Sequence, residues 1–129
     1  MSLTFSKNER LHGYRAIRCL FAEGKLFHLP PFRVTWIKTK ESTTAFHQVI
    51  ISVPKAIHKK SSERNLIRRR IREAYRLNKS ILYKTGREHP PALSFCITYT
   101  SKEILTYSTI HDKINLLLQR LNEECEKSL

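Results

Sequence analysis

Residues 64–79 read RNLIRRRIREAYRLNK, with six arginines and one lysine in sixteen positions. Like charges at helical spacing repel, so a fold of this chain must gather them on a face that meets solvent or a counter-charge. Placed at about 100° per residue, the segment divides into three sides. Ile67, Ile71, Ala74, Tyr75, Asn78, Ile81 and Leu82 share one arc, which reads as the buried face. Asn65, Arg68, Arg69, Arg72, Arg76 and Lys79 share a second arc, about 100° wide. Leu66, Arg70, Glu73 and Leu77 take the remaining side. Ser61 or Ser62 can cap this helix, and Glu63 suits its first turn.

Upstream, PKAIHKK adds Lys55, Lys59 and Lys60. Residues 55–79 thus carry ten Lys/Arg against two Glu, net +8 of a whole-chain charge of +13. Solvated helix faces mix Lys with Glu to gain i,i+4 pairs. This one is nearly all of one sign and mostly Arg, whose planar fork grips phosphate at two points. The pattern points to nucleic acid, bound with a strong salt dependence.

The rest of the chain supplies a frame for that helix. Its 129 residues, 40% hydrophobic, fit one domain spanning 1–129. Tyr14, Ile17, Leu20 and Phe21 recur at helical spacing over 13–23, and Gly24 sits where that helix stops. FRVTWIKT (32–39) and FHQVIISV (46–53) alternate as strands, with KESTTA between them composed like a hairpin loop. LSFCITY (93–99) alternates Leu93, Phe95, Ile97 and Tyr99 against Ser94, Cys96 and Thr98. A last helix runs from about Thr109 to Cys125 on a stripe of Ile110, Ile114, Leu117, Leu118 and Leu121, capped by Ser108 or Thr109. The order α-β-β(-β)-α-β-α, with a helix between two strands, gives an α+β class: a two-layer α-β sandwich with a βαβ crossover.

Several function classes lose support. No apolar run approaches the roughly 20 residues of a membrane span, and no secretory signal is visible at the N-terminus, so a cytoplasmic protein is expected. Cys19, Cys96 and Cys125 fit neither a disulfide framework nor a zinc site and read as buried reduced thiols. Asp112 is the one aspartate, the ten glutamates are dispersed, and the six histidines show no ligand spacing. Phosphodiester hydrolysis by protein alone commonly needs carboxylates that hold two metal ions, so no catalytic residue and no metal ligand is assigned.

SVPKAIHKKSSERNLIRRRIREAYRLNK (52–79) resembles the central motif of the bacterial ribonuclease P protein component. In that family a Lys-containing segment after a strand leads into an Arg-Asn-x-x-Arg/Lys-Arg-x-x-Arg helix, matched here by Arg64, Asn65, Arg68, Arg69 and Arg72. The likeness extends through LFAEG (20–24) and the Phe32 strand over most of the chain. It departs at Leu66, where the family usually has a further Arg; either one RNA contact is missing or Arg70 takes it over.

The resemblance implies the protein subunit of a ribozyme. The catalytic RNA removes the 5′ leader of precursor tRNA by a metal-dependent hydrolysis, with Mg2+ held mainly by the RNA and none bound by the protein. The implied partners are that RNA and precursor tRNA, with the protein monomeric within the complex. The basic helix would contact the catalytic RNA, and a cleft between that helix and the sheet would receive the leader. Carried over by position, Ile17, Phe21, Thr35 and Ser52 would face the leader, with Thr35 standing where a stacking aromatic is common. The family fold also implies a left-handed crossover, against the general rule. Two other readings compete: a structural ribosomal RNA-binding protein, and a DNA-binding protein using the basic helix as a groove reader.

Overall fold

The central strand explains the topology. Every residue of LSFCITY is buried, so this strand needs cover on both faces and a paired neighbour on both edges. The computed structural model describes residues 10, 14–38, 47–83 and 92–127. Its elements are α1 (Tyr14–Glu23), β1 (Lys25–Leu29), β2 (Phe32–Lys38), β3 (Gln48–Ser52), α2 (Ser61–Asn78), α3 (Ser80–Tyr83), β4 (Leu93–Tyr99) and α4 (Tyr107–Lys127). The sheet order is β1-β2-β4-β3. β4 runs antiparallel to β2 and parallel to β3, so β3, α2, α3 and β4 form the expected βαβ crossover.

One expected pairing is overturned. The stretches 32–39 and 46–53 are not two arms of a hairpin, because β4 lies between β2 and β3; KESTTA itself lies outside the described residues. Adjacent strands in sequence lose to a doubly buried strand that must sit in the middle. The hairpin is formed instead by β1 and β2, whose register pairs Leu29 with Phe32 around Pro30-Pro31. The Pro31 carbonyl accepts from the Thr100 N–H at 2.8 Å and from the Thr100 hydroxyl at 3.0 Å. At the opposite edge Arg10 bridges to Val49 in parallel, partly covering β3.

α2 and α4 cover one face of the sheet. Phe32, Val34, Trp36, Val49, Phe95, Ile97 and Tyr99 meet Ile67, Ile71, Ala74 and Tyr75 of α2 and the five-residue stripe of α4 in one core. α1 lies on the other face, where Leu20 and Ile17 pack with Cys96, Ile37 and Ile50. The two helices of the main layer are also tied by polar groups. The Asn78 Nδ2 donates to the Ala74 carbonyl at 2.8 Å, and its Oδ1 accepts from Asn115 Nδ2 at 2.9 Å. Asn122 Nδ2 donates to the Ile81 carbonyl at 2.6 Å. These bonds satisfy an amide on the buried face that would otherwise be costly to desolvate.

Local endings differ from expectation in detail. The N-cap of α2 is Lys60, with no side-chain cap bond, so neither Ser61 nor Ser62 caps it. α4 begins at Tyr107, and the Thr106 hydroxyl rather than Ser108 or Thr109 accepts from the Thr109 N–H, at 3.3 Å. Of the cysteines only Cys96 is buried; Cys125 is partly covered and Cys19 is exposed, on the side of α1 away from Leu20.

Candidate nucleic-acid interface

The exposed side of α2 divides into cations that are free to bind a ligand and cations already engaged. Asn65, Arg69 and Arg72 are exposed and Arg68 is half-buried. Among the described residues neither Arg69 nor Arg72 has a hydrogen-bond or ion-pair partner. Arg68 reaches only Asn65 Oδ1, at 3.2 Å. Lys55, Lys59 and Lys60 are exposed on the connection from β3. These seven residues lie on the connection from β3 and on the outer side of α2.

The other basic residues of 64–79 serve the fold. Arg64 donates to the carbonyls of His58 and Lys59, at 2.9 and 2.7 Å. Arg76 grips Glu73 with both branches of its fork, at 3.0 and 2.5 Å, and this pair holds the Glu73 carboxyl below its usual range. Lys79 was expected on the RNA-facing stripe and is instead 3% exposed. The helix ends at Asn78 with Lys79 as its C-cap, and α3 begins at Ser80, so Lys79 sits at the junction of two helices and not on an open helix face. Arg70 donates to the Leu105 carbonyl at 2.5 Å. It is therefore committed to the segment before α4 and does not stand in for the arginine that Leu66 replaces.

The lysine-bearing connection is itself braced. The Ile57 and His58 N–H groups both donate to the Pro54 carbonyl. The buried His58 ring donates from Nε2 to the Ser101 carbonyl at 2.8 Å and packs on Tyr99, while its Nδ1 lies 3.7 Å from Glu63. With Arg64 holding the His58 and Lys59 carbonyls, the loop is tied both to the end of β4 and to the first turn of α2. His58 carries no signal in the sequence, where it reads as one histidine among lysines.

Among the described residues no open cleft separates α2 from the sheet. The space between α2 and the sheet is filled by Ile67, Ile71, Ala74 and Tyr75, all fully buried. Ile17, Phe21, Thr35 and Ser52 instead belong to α1 and to the face of the sheet that α1 crosses. Strand alternation requires this, since Phe32, Val34 and Trp36 already fill the α2 side. Phe21 is 57% exposed, so it is a surface aromatic and not core, whereas Ile17 packs against the Leu20–Cys96 cluster. Thr35 and Ser52 are half-buried. The pairing register lines up two rows across the sheet on this face: Leu26–Thr35–Cys96–Ile50, and His28–Arg33–Thr98–Ser52.

Among the described residues no three His, Cys, Asp or Glu side chains come together as a metal site. No helix of the described residues is long and apolar enough to cross a membrane.

The ribonuclease P family model matches residues 5–122. The ribonuclease P protein component of Porphyromonas gingivalis, in each of two strains, is 32% identical over 116 residues, covering 90% of this chain and 85% of the relative. The solved ribonuclease P protein of Thermotoga maritima superposes with a TM-score of 0.69 at 25% identity, over 87% of this chain and 96% of that one. That of Staphylococcus aureus superposes at 0.69 and 19% identity, over 88% and 94%, a likeness of fold. With the helix motif Arg64, Asn65, Arg68, Arg69 and Arg72 carried on α2, the chain belongs to the ribonuclease P protein family.

Proposed function

We infer that this chain is the protein subunit of ribonuclease P and assists an RNA catalyst in removing the 5′ leader of precursor tRNA. The observation that carries the reading is the division of α2 into a fully buried apolar side and an outer side whose Arg69 and Arg72 have no partner among the described residues. Cations held apart from carboxylates on a rigid helix suit a phosphate backbone. The catalytic RNA takes that surface, and the leader takes the α1 side of the sheet around Phe21, Thr35 and Ser52. Bond cleavage, and the Mg2+ it needs, belong to the RNA, so the isolated protein has no nuclease activity. It acts as a monomer within the complex. A groove-reading DNA protein is disfavoured because β3 and a loop, not a helix, precede α2.

Reconstitution tests this reading. The protein is mixed with a bacterial ribonuclease P RNA at low Mg2+ and near-physiological salt, and cleavage of precursor tRNA with long and short leaders is followed. Stimulation that grows with leader length is expected. No stimulation by folded protein would overturn the subunit reading, and stimulation independent of leader length would overturn the leader surface alone.

A further inference from the structure

The row His28–Arg33–Thr98–Ser52 crosses all four strands on the α1 side of the sheet. Three strand spacings make it about 14 Å long. Each of its side chains can form hydrogen bonds, which is unusual for a row through the middle of a sheet. His28 and Arg33 are exposed and Ser52 half-buried, and only Thr98 is closed off. Its neighbouring row, Leu26–Thr35–Cys96–Ile50, is by contrast largely apolar, and α1 packs Leu20 and Ile17 against part of it. The polar row is thus distinct from the part of the sheet face that α1 seals.

Arg33 is the charged group in this row. Among the described residues no hydrogen bond or carboxylate engages its guanidinium. It alternates along β2 with Phe32 and Val34, which are 1% and 0% exposed, so the core fixes the strand and with it the side from which Arg33 projects. The charge lies near enough to favour the Cys96 thiolate, against the larger effect of burial, which pushes that thiol's pKa up. A cation held by a rigid strand, flanked by hydroxyls and an imidazole, offers a phosphodiester both charge and hydrogen bonds. Thr35, one row away, offers no ring for a base to stack on.

We propose that Arg33, with His28 and Ser52 beside it, binds the phosphate backbone of the 5′ leader, so that this protein holds the leader by charge and hydrogen bonding where Thr35 provides no stacking. The proposal rests on the reading that the leader lies on this face of the sheet. It makes Arg33 a substrate-positioning residue whose effect depends on leader length and which plays no part in binding the catalytic RNA.

The test uses the holoenzyme assembled from the full chain and ribonuclease P RNA, with Arg33→Ala and Arg33→Lys variants. Precursor tRNAs with a long and a minimal leader are titrated at several salt concentrations. For Arg33→Ala, affinity for the long-leader substrate falls about tenfold, the scale of one charge-assisted bond. Its salt slope falls by about one unit, while the minimal-leader substrate and the catalytic RNA bind as before. Arg33→Lys keeps the slope and loses part of the affinity, because the charge remains but the fork does not. Equal losses on both leaders, or an unaltered long-leader affinity in a protein that otherwise retains leader dependence, would overturn the proposal. A wild-type holoenzyme with no leader dependence would instead sink the leader surface, and this proposal with it.

Discussion

Gly24 shows how tightly one residue is specified. Its N–H donates to the Leu20 carbonyl at 2.8 Å and closes α1 just before β1 begins. A β-carbon there would collide with that carbonyl oxygen, and would stand 2.9 Å from Thr35 Cγ2 and 3.1 Å from the Trp36 carbonyl. Two of these atoms are backbone and cannot swing aside. Gly24→Ala is expected to cost about 1–3 kcal/mol, the usual scale of overpacking, read as a lower urea midpoint; an unchanged midpoint would show that α1 shifts freely. His47 is specified by its charge state. Its Nδ1 accepts from the Leu93 N–H at 3.0 Å, which requires an unprotonated nitrogen. Burial drives its pKa below the ordinary value, and a hydrogen bond to the Leu82 backbone partly offsets this. The unfolded chain therefore takes up this proton first as pH falls past about 6.5, and the stability present above that pH is lost in acid. The urea midpoint should drop between about pH 7.5 and about pH 5.5, and His47→Gln should weaken the drop. Identical pH profiles for the two proteins would assign the acid sensitivity to other groups.

At the scale of elements, α2 separates folding from binding by the side of the helix a residue occupies. Ile71 is fully buried between the sheet and α4, so Ile71→Ala should cost about 2–5 kcal/mol. Arg72 is exposed, and Arg72→Ala should alter stability by less than about 0.5 kcal/mol while weakening RNA binding. Denaturation and RNA titration of both variants check this; a large stability loss in Arg72→Ala would mean the outer side is structural. This division was legible in the sequence because a long helix repeats its pattern often enough to define each side. Ile67, Ile71, Ala74, Tyr75 and Asn78 all lie where the periodicity put them. Lys79 did not, because a helix wheel carries no information about where the helix stops. The optional third strand of the expected order had no place in the sequence, because KLFHL buries only Phe27 fully and runs into Pro30-Pro31, which reads as a break. The β2–β4–β3 order was hidden for a different reason: local sequence reports which faces of a strand are apolar, not which strand lies beside it. The four positions expected to face the leader came from family likeness, while strand alternation puts Arg33 on the same side as Thr35.

For the whole molecule, the distribution of the +13 charge matters more than its size. The expected stripe, its approach and Arg64 together contain nine cations, but three are engaged within the fold. Arg64 holds the loop carbonyls, Arg76 holds Glu73, and Lys79 is buried. On the proposed function, Lys55, Lys59, Lys60, Arg68, Arg69 and Arg72 are the cations that meet the catalytic RNA. A bound cation releases roughly 0.7–0.9 of a counterion per phosphate, so these six give log K against log salt a slope of about −4 to −5. If all nine met phosphate, the slope would be about −6 to −8. A titration of the protein against ribonuclease P RNA over a range of monovalent salt separates the two cases. The shallower slope is expected, reduced by about one unit in Arg69→Ala or Arg72→Ala and left unchanged by Lys79→Met, whose ammonium is closed off from the RNA. A steeper slope that Lys79→Met reduces would mean that the end of α2 opens on binding and delivers the buried lysine to the RNA.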